Sequence, residues 1–205
     1  MDGIRLETER LLLRRFAEDD AAALWRMCAD ELVTRYLPFD ELKSLEGAQG
    51  LLEEKFLAPY RRADAGEAGA DGFSLDARWA ICEKECGEPI GFIQIGDNEA
   101  HEAGYMLRRA SWRHGYAREA LAAVIAWARA SGYPFLTAAH DVDNPRSGEV
   151  MRACDMTYRY TYREQWLPKK PLVAFRLYQI DLAPGVQTYR GYWEQHPDHW
   201  IEEGL

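Results

Sequence analysis

The chain has 205 residues, 47% of them hydrophobic, which is enough for one sizeable core and too few for two comfortable domains. Its 25 Lys+Arg against 34 Asp+Glu leave a net charge of -9, which excludes the broad basic face that nucleic acid or an anionic membrane requires. The longest apolar run, Ala120–Ala128, falls far below the ~20 residues that span a bilayer.

Met1–Glu7 carries acids and no apolar run, so no secretion signal is predicted. Cys28, Cys82, Cys86 and Cys154 are then expected as reduced thiols of a cytoplasmic protein. No second close Cys or Cys/His pair accompanies Cys82 and Cys86, so they read as hairpin thiols and no metal site is predicted. Leu11–Leu13, between Arg10 and Arg14, is predicted as a short buried strand. Glu18-Asp19-Asp20 marks the start of a helix over Ala21–Ala29, with Leu24, Met27 and Cys28 facing the core. Ser44 caps a second helix over Leu45–Leu57, which Pro59 is expected to close. Arg61–Gly72, rich in Ala, Gly, Asp and Arg, has no hydrophobic period and reads as a mobile surface loop.

Strands follow. Trp79–Glu83 and Pro89–Ile95 form a hairpin around Lys84–Glu88, and Ala103–Leu107 is a third strand. Arg118–Ala130 is a helix with Leu121, Val124, Ile125 and Ala128 on its buried stripe, ended by Gly132 and Pro134. Phe135–Ala139 is a short strand. Asn144-Pro145 then opens a helix to Cys154, with Asn as N-cap and Pro in the first turn. Met156–Trp166 and Leu172–Leu182 are strands joined by a long loop, Leu167–Pro171. The order predicts an α+β, or mixed α/β, domain in three layers over residues 1–183. Residues 184–205 hold Tyr189, Tyr192, Trp193, His196, His199 and Trp200, and three roles stay open for them: a packed cap, a contact in a homodimer, or a lid over a site.

The stretch richest in chemistry is Gly104–Leu121. A strand ends, a short loop with Gly115 and Ala117 follows, and a long helix begins. Small residues there let backbone N–H groups reach an anion, and the helix dipole favours phosphate. Residues 108–118 hold Arg108, Arg109, Arg113 and Arg118 and no acid, a local +4 in a chain whose remainder carries -13. A pyrophosphate fits here better than elsewhere. Neither a P-loop nor a dinucleotide fingerprint is present.

The run Trp112-Arg-His-Gly-Tyr-Ala-Arg-Glu-Ala120 resembles motif A of the GNAT N-acetyltransferases, Gln/Arg-x-x-Gly-x-Gly/Ala. Leu6–Arg14 resembles the family's opening strand, Ile90-Gly-Phe-Ile the strand before the site, Glu102-Ala-Gly-Tyr105 the central strand, and Asn144-Pro-Arg-Ser147 the start of the later helix. The matches cover about residues 5–182 and are most similar to the branch that includes the ribosomal-protein N-terminal acetyltransferases. Trp112 stands where Gln or Arg is usual, Ala117 replaces the second Gly, and Asp155 stands in place of a Gly.

The resemblance implies an acyl-CoA N-acyltransferase fold: a mixed, mostly antiparallel sheet with a central splayed parallel strand pair. It implies acetyl-CoA as co-substrate, no metal, and transfer of acetyl to a primary amine of a small molecule or a peptide. Met106 and Leu107 would then meet pantetheine through backbone groups. Arg113, His114, Gly115, Tyr116, Ala117 and Arg118 would cradle the pyrophosphate, and Asn144, Ser147 and Arg152 would line the other wall. A CoA-binding member without catalysis, and a transferase of longer acyl groups, are the alternatives.

An amine attacking a thioester must lose a proton, and the departing thiolate must gain one. Glu102, at the start of the central strand, is the first candidate base, with a surface ion pair as its bland alternative; Glu164 is the second. His101 and His140 have a suitable pKa near ~6.5 but read as exposed loop residues. Ser147 is the candidate acid through its family position, although a Ser in a first turn also caps helices well. Tyr158, Tyr160 and Tyr162 are alternatives that strand alternation more simply explains by packing.

Overall fold

A computed structural model of the chain describes residues 4–166 and 170–205, with the backbone alone for residues 170 and 171. The expected loop Leu167–Pro171 thus lies largely outside the described residues.

Among the described residues, nine strands form two sheets. In the first, β1 (Leu6–Glu7), β2 (Leu11–Arg14), β3 (Arg78–Glu83), β4 (Pro89–Ile95) and β5 (Ala103–Leu107) lie in chain order, all antiparallel. The second has the order β6 (Phe135–Asp141), β8 (Lys170–Asp181), β7 (Thr157–Trp166) and β9 (His199–Trp200). The run Leu6–Arg14 is therefore a hairpin rather than one opening strand. Among the described residues the sheets meet at one parallel bridge, Glu102 on Thr137.

Helices cover both faces of the first sheet. α1 (Ala21–Cys28), the short α2 (Glu31–Thr34), α3 (Leu45–Leu52) and α4 (Ala58–Asp64) lie on one side. Their Leu24, Met27, Leu52 and Tyr60, with Phe56 between α3 and α4, are buried against Ala80, Phe92 and Met106. On the other side is α5 (Tyr116–Ala130), while α6 (Pro145–Arg152) packs on β6 and β8 of the second sheet and on α5. Burying each of Leu121, Val124 and Ile125 of α5 against the sheet contributes about 1.5–3 kcal/mol.

Three local expectations change. Pro59 does not close the second helix: a π turn, Glu53–Leu57, joins α3 to α4, and Pro59 sits in the first turn of α4, where a missing N–H costs least. Arg61–Gly72 is in part helical, and Asp71 turns inward to meet His101. Asn144 occupies the N-cap position of α6 without a side-chain cap bond, leaving Pro145 to set the start.

Tyr189–Glu202 lies along the second sheet. Tyr189 N–H donates to Gln179 Oε1 (2.8 Å) and its carbonyl accepts from the Tyr160 hydroxyl (2.9 Å). Between these anchors and β9 runs α7 (Gly191–Gln195). Further on, Trp200 pairs with Thr161, Arg163 holds Asp198 (2.8 Å), and Arg176 grips Glu202 (2.6 Å).

Candidate active site

The site begins where the sheets part. Thr137, fully buried, is held by its N–H on the His101 carbonyl (3.3 Å) and its hydroxyl on the Ala100 carbonyl (2.7 Å). Past that point β5 and β6 share no ladder. A cleft of about 1050 Å³ opens between them, lined by Glu102, Tyr105, Leu107, His140, Asn144 and Ser147 among others.

Backbone alternation fixes which groups face the gap. Gly96 donates to the Glu102 carbonyl (2.8 Å) and Arg108 to the Ile90 carbonyl (2.7 Å), so residues 102, 104, 106 and 108 turn their polar groups to β4. Consistently, a Cβ on Gly91 would collide with the Met106 carbonyl oxygen. Tyr105 and Leu107 therefore face the cleft with their backbone, and the Leu107 carbonyl already accepts from the Trp112 indole N–H (2.8 Å). Met106, expected to offer backbone groups, spends them within the sheet, and Tyr105 takes that place beside Leu107.

At the cleft's outer end the loop before α5 adopts positive φ twice, at Arg113 (+66°) and Gly115 (+81°). The consequence is a row of N–H groups, Arg113 to Arg118, that meet no acceptor among the described residues. Six successive free donors at a helix start form a cradle for a polyanion. His114 and Gly115 are exposed there, with the His114 ring stacked on Tyr116. Of the four arginines, Arg108 bonds Ser111 and Arg109 pairs with Asp30 (3.0 Å). Arg113 and Arg118 have no carboxylate partner among the described residues, and Arg113 and Ala117 line the cleft.

A residue that sequence reasoning missed holds this loop. Arg10 donates through Nη1 to the His114 carbonyl (2.8 Å) and through Nε to Glu119 (2.7 Å), while its guanidinium covers the Tyr116 ring at 4.7 Å. Glu119 also accepts from the Thr8 hydroxyl (2.5 Å). The opening hairpin is thereby tied to the first turn of α5, a contact between residues more than one hundred positions apart that no local pattern announces.

Across the gap, α6 presents Ser147. The Tyr105 hydroxyl lies 3.0 Å from Ser147 Oγ and donates to its carbonyl oxygen at 3.0 Å. Burial pushes the Tyr105 phenol well above its ordinary value, so it stays protonated. Arg152, expected on this wall, instead bonds the Tyr178 hydroxyl (2.9 Å) from the far end of α6. Of the three alternative tyrosines, Tyr158 is held by Thr161 and Glu202, and Tyr160 by the Tyr189 carbonyl. Tyr162 reaches the cleft.

Glu102 and Glu164 line the same cleft, on the side away from the cradle. Burial raises Glu102 above the usual carboxylate range, opposed by a hydrogen bond from the Tyr192 hydroxyl to Oε2 (2.6 Å). Burial and then the charge of Glu102 raise Glu164, whose Oε2 lies 3.3 Å from His196 Nε2. Tyr162, Trp166, Phe175 and Tyr192 supply aromatic walls. Both histidines expected on exposed loops are buried: His101 pairs with Asp71 (3.0 Å), and His140 places Nδ1 on the Asp141 carbonyl (2.8 Å) beneath Gly148. Burial lowers His140, which keeps it neutral. Among the described residues no group of His, Cys, Asp and Glu could hold a metal ion, and no helix is long and apolar enough to cross a membrane.

Comparison with known proteins agrees with this geometry. The family described as Acetyltransferase (GNAT) domain matches residues 10–157. The N-acetyltransferase YoaA of Bacillus subtilis (strain 168) is 28% identical over 151 residues, covering 71% of this chain and 78% of its own. A GNAT-family acetyltransferase from Bacillus anthracis superposes with a TM-score of 0.71 at 18% identity, over 87% of this chain and 99% of that one. RimL, a ribosomal L7/L12 alpha-N-protein acetyltransferase solved with coenzyme A, gives 0.67 at 17%, over 87% and 98%. A splayed strand pair, an anion cradle at a helix start and a matching family profile along most of the chain lead to one conclusion: this protein is an acyltransferase enzyme that belongs to the GNAT acetyltransferase family.

Proposed function

We propose that the chain transfers an acetyl group from acetyl-CoA to a primary amine by direct attack, with Glu102 as base and the Tyr105–Ser147 pair as acid. The observation that carries this reading is the position of Glu102. Among the described residues it stands at the one bridge between the sheets, in the same cleft as the Tyr105 backbone and Arg113 of the cradle.

The residues present fit acetyl-CoA. The free N–H groups from Arg113 to Arg118, with the Arg113 and Arg118 side chains, match a pyrophosphate; Asn144 and Ser147 line the facing wall. The backbone of Tyr105 and Leu107 offers pairing to an amide-bearing arm. When bound, the thioester supplies an activated carbonyl carbon and a thiol leaving group.

The chain's own groups do the rest. Glu102 takes the proton of the acceptor ammonium, and its raised pKa narrows the gap to an amine. A backbone N–H of β5 can polarise the thioester carbonyl. As the N–C bond forms and the C–S bond breaks, the Ser147 hydroxyl beside Tyr105 gives the sulfur a proton and regains one from water in the cleft, while the new amide nitrogen sheds its second proton to water. The acidic, aromatic end of the cleft suits a cationic amine.

Free-thiol release is the test, with acetyl-CoA and a panel of an α-amino peptide, a lysine peptide, spermidine and an aminoglycoside. Glu102→Gln is expected to slow the best of these roughly 10²- to 10⁴-fold while leaving acetyl-CoA affinity unchanged. Binding without turnover across the panel would support the non-catalytic reading instead. Thiol release from propionyl-CoA but not acetyl-CoA would support the longer acyl group.

A further inference from the structure

Tyr192 lies outside the family match and ninety residues from Glu102, yet its hydroxyl donates to Glu102 Oε2 at 2.6 Å. Its ring is stacked on Tyr162 at 5.0 Å, and Tyr162 is stacked in turn on His196 at 5.1 Å. The segment that carries it is fixed on both flanks. Before α7, Tyr189 is bonded to Gln179 and Tyr160; after it, Asp198, Trp200 and Glu202 are bonded to the second sheet. A tyrosine merely capping the fold needs none of this aim.

Resting on the reading of Glu102 as base, we propose that Tyr192 is a positioning residue: it occupies Oε2 of Glu102 and leaves Oε1 to face the acceptor amine. Among the described residues Oε1 takes no hydrogen bond. One oxygen is thereby fixed by the C-terminal segment and the other is presented to the cleft, which selects a single carboxylate orientation. The segment is a wall of the acceptor site, and its aromatic residues are part of what an acceptor meets.

A second consequence is protonic. The titratable groups facing Glu102 are Tyr162 and Glu164 from β7, and Tyr189 and Tyr192 from the C-terminal segment, with His196 behind Glu164. Burial holds His196 neutral and all three phenols protonated. The Tyr192 hydroxyl is thus the group that favours the ionised form of Glu102, against burial.

The experiment is a carbon-13 NMR titration of the Glu102 carboxyl in the full chain with acetyl-CoA added, the resonance being identified by its loss in Glu102→Gln. Tyr192→Phe keeps the stacked ring and removes the hydroxyl. Its Glu102 midpoint is expected to rise by about one pH unit, with a matching rise in the acidic limb of kcat/KM for the best probe amine, while acetyl-CoA affinity holds. Tyr189→Phe, at a neighbouring ring with no bond to Glu102, is expected to leave the midpoint in place. An unmoved midpoint in Tyr192→Phe, or an equal rise in both variants, overturns the proposal. If Glu102→Gln loses turnover while Tyr192→Phe titrates like the wild type, only the role of Tyr192 fails. If Glu102→Gln turns over like the wild type, the base assignment fails and the positioning role fails with it.

Discussion

Gly148 in α6 offers a test in which two physical rules predict opposite signs. By helix propensity alone, Gly148→Ala would stabilise the chain by about 1 kcal/mol. The structure says otherwise: a Cβ there would lie 2.5 Å from His140 Nε2, 3.0 Å from Cε1 and 3.1 Å from Cδ2. The imidazole cannot yield, because it is 3% exposed and its Nδ1 is fixed on the Asp141 carbonyl at 2.8 Å. The helix must move instead, by about 1 Å to restore ordinary contact. Overpacking of this kind costs about 1–3 kcal/mol, so the net loss is about 0–2 kcal/mol once propensity is credited. In a chain of this length that lowers Tm by up to roughly 4–8 °C. The same displacement carries Ser147, the adjacent residue, away from the Tyr105 hydroxyl 3.0 Å distant. With Ser147 as the proposed acid, a misplacement of this size is expected to lower kcat roughly 10²-fold and to weaken acetyl-CoA binding less, since the pyrophosphate cradle lies on α5. Gly50→Ala is the control, because nothing lies within 4 Å of its Cβ position in α3, and it is expected to raise Tm. Thermal scans and steady-state kinetics decide the matter. If Gly148→Ala raises Tm as Gly50→Ala does and keeps full kcat, the steric argument is wrong.

Arg10→Met is expected to weaken acetyl-CoA binding five- to tenfold in calorimetry with little loss of Tm, because it unties the His114 carbonyl without emptying the core; unchanged affinity would count against its role in shaping the cradle. Glu164 has its pKa raised in the fold, so its contribution to stability is present below the ordinary carboxylate range and is lost as pH climbs through the raised value. Glu164→Gln should therefore match the wild type in Tm near pH 4 and exceed it near pH 8, and a variant less stable at pH 8 contradicts this sign.

How much could be read from the residues alone follows a physical divide. Ala103–Leu107 and the hairpin before it were legible because strand alternation and turn chemistry are local, and Leu121, Val124, Ile125 and Ala128 because a helix stripe repeats every few positions. Gly115 was legible as the mouth of a helix, and the structure adds the positive φ that makes glycine suited there. Pro59 misled because a proline signals a helix end only when the preceding turn is regular, and here that turn is widened. Tyr105, Arg10 and Tyr192 were invisible as site residues for a different reason. Each acts on a partner between 42 and 104 positions away, and such pairings carry no period. Met106 and Leu107 differ by one residue and face opposite ways, a distinction that depends on register and not on composition.

The single bridge between Glu102 and Thr137 has a further meaning. Beyond it, β5 and β6 are two sheet edges turned toward each other inside one molecule. Unpaired edges are ordinarily hazards, templates for the wrong strand from another chain. Here both edges border the cleft, where an amide-bearing ligand can reach them. On the proposed reading acetyl-CoA supplies the missing rung of a ladder and is substrate and temporary strand at once. Its arrival should slow amide hydrogen exchange at Tyr105 and Leu107 before any chemistry takes place.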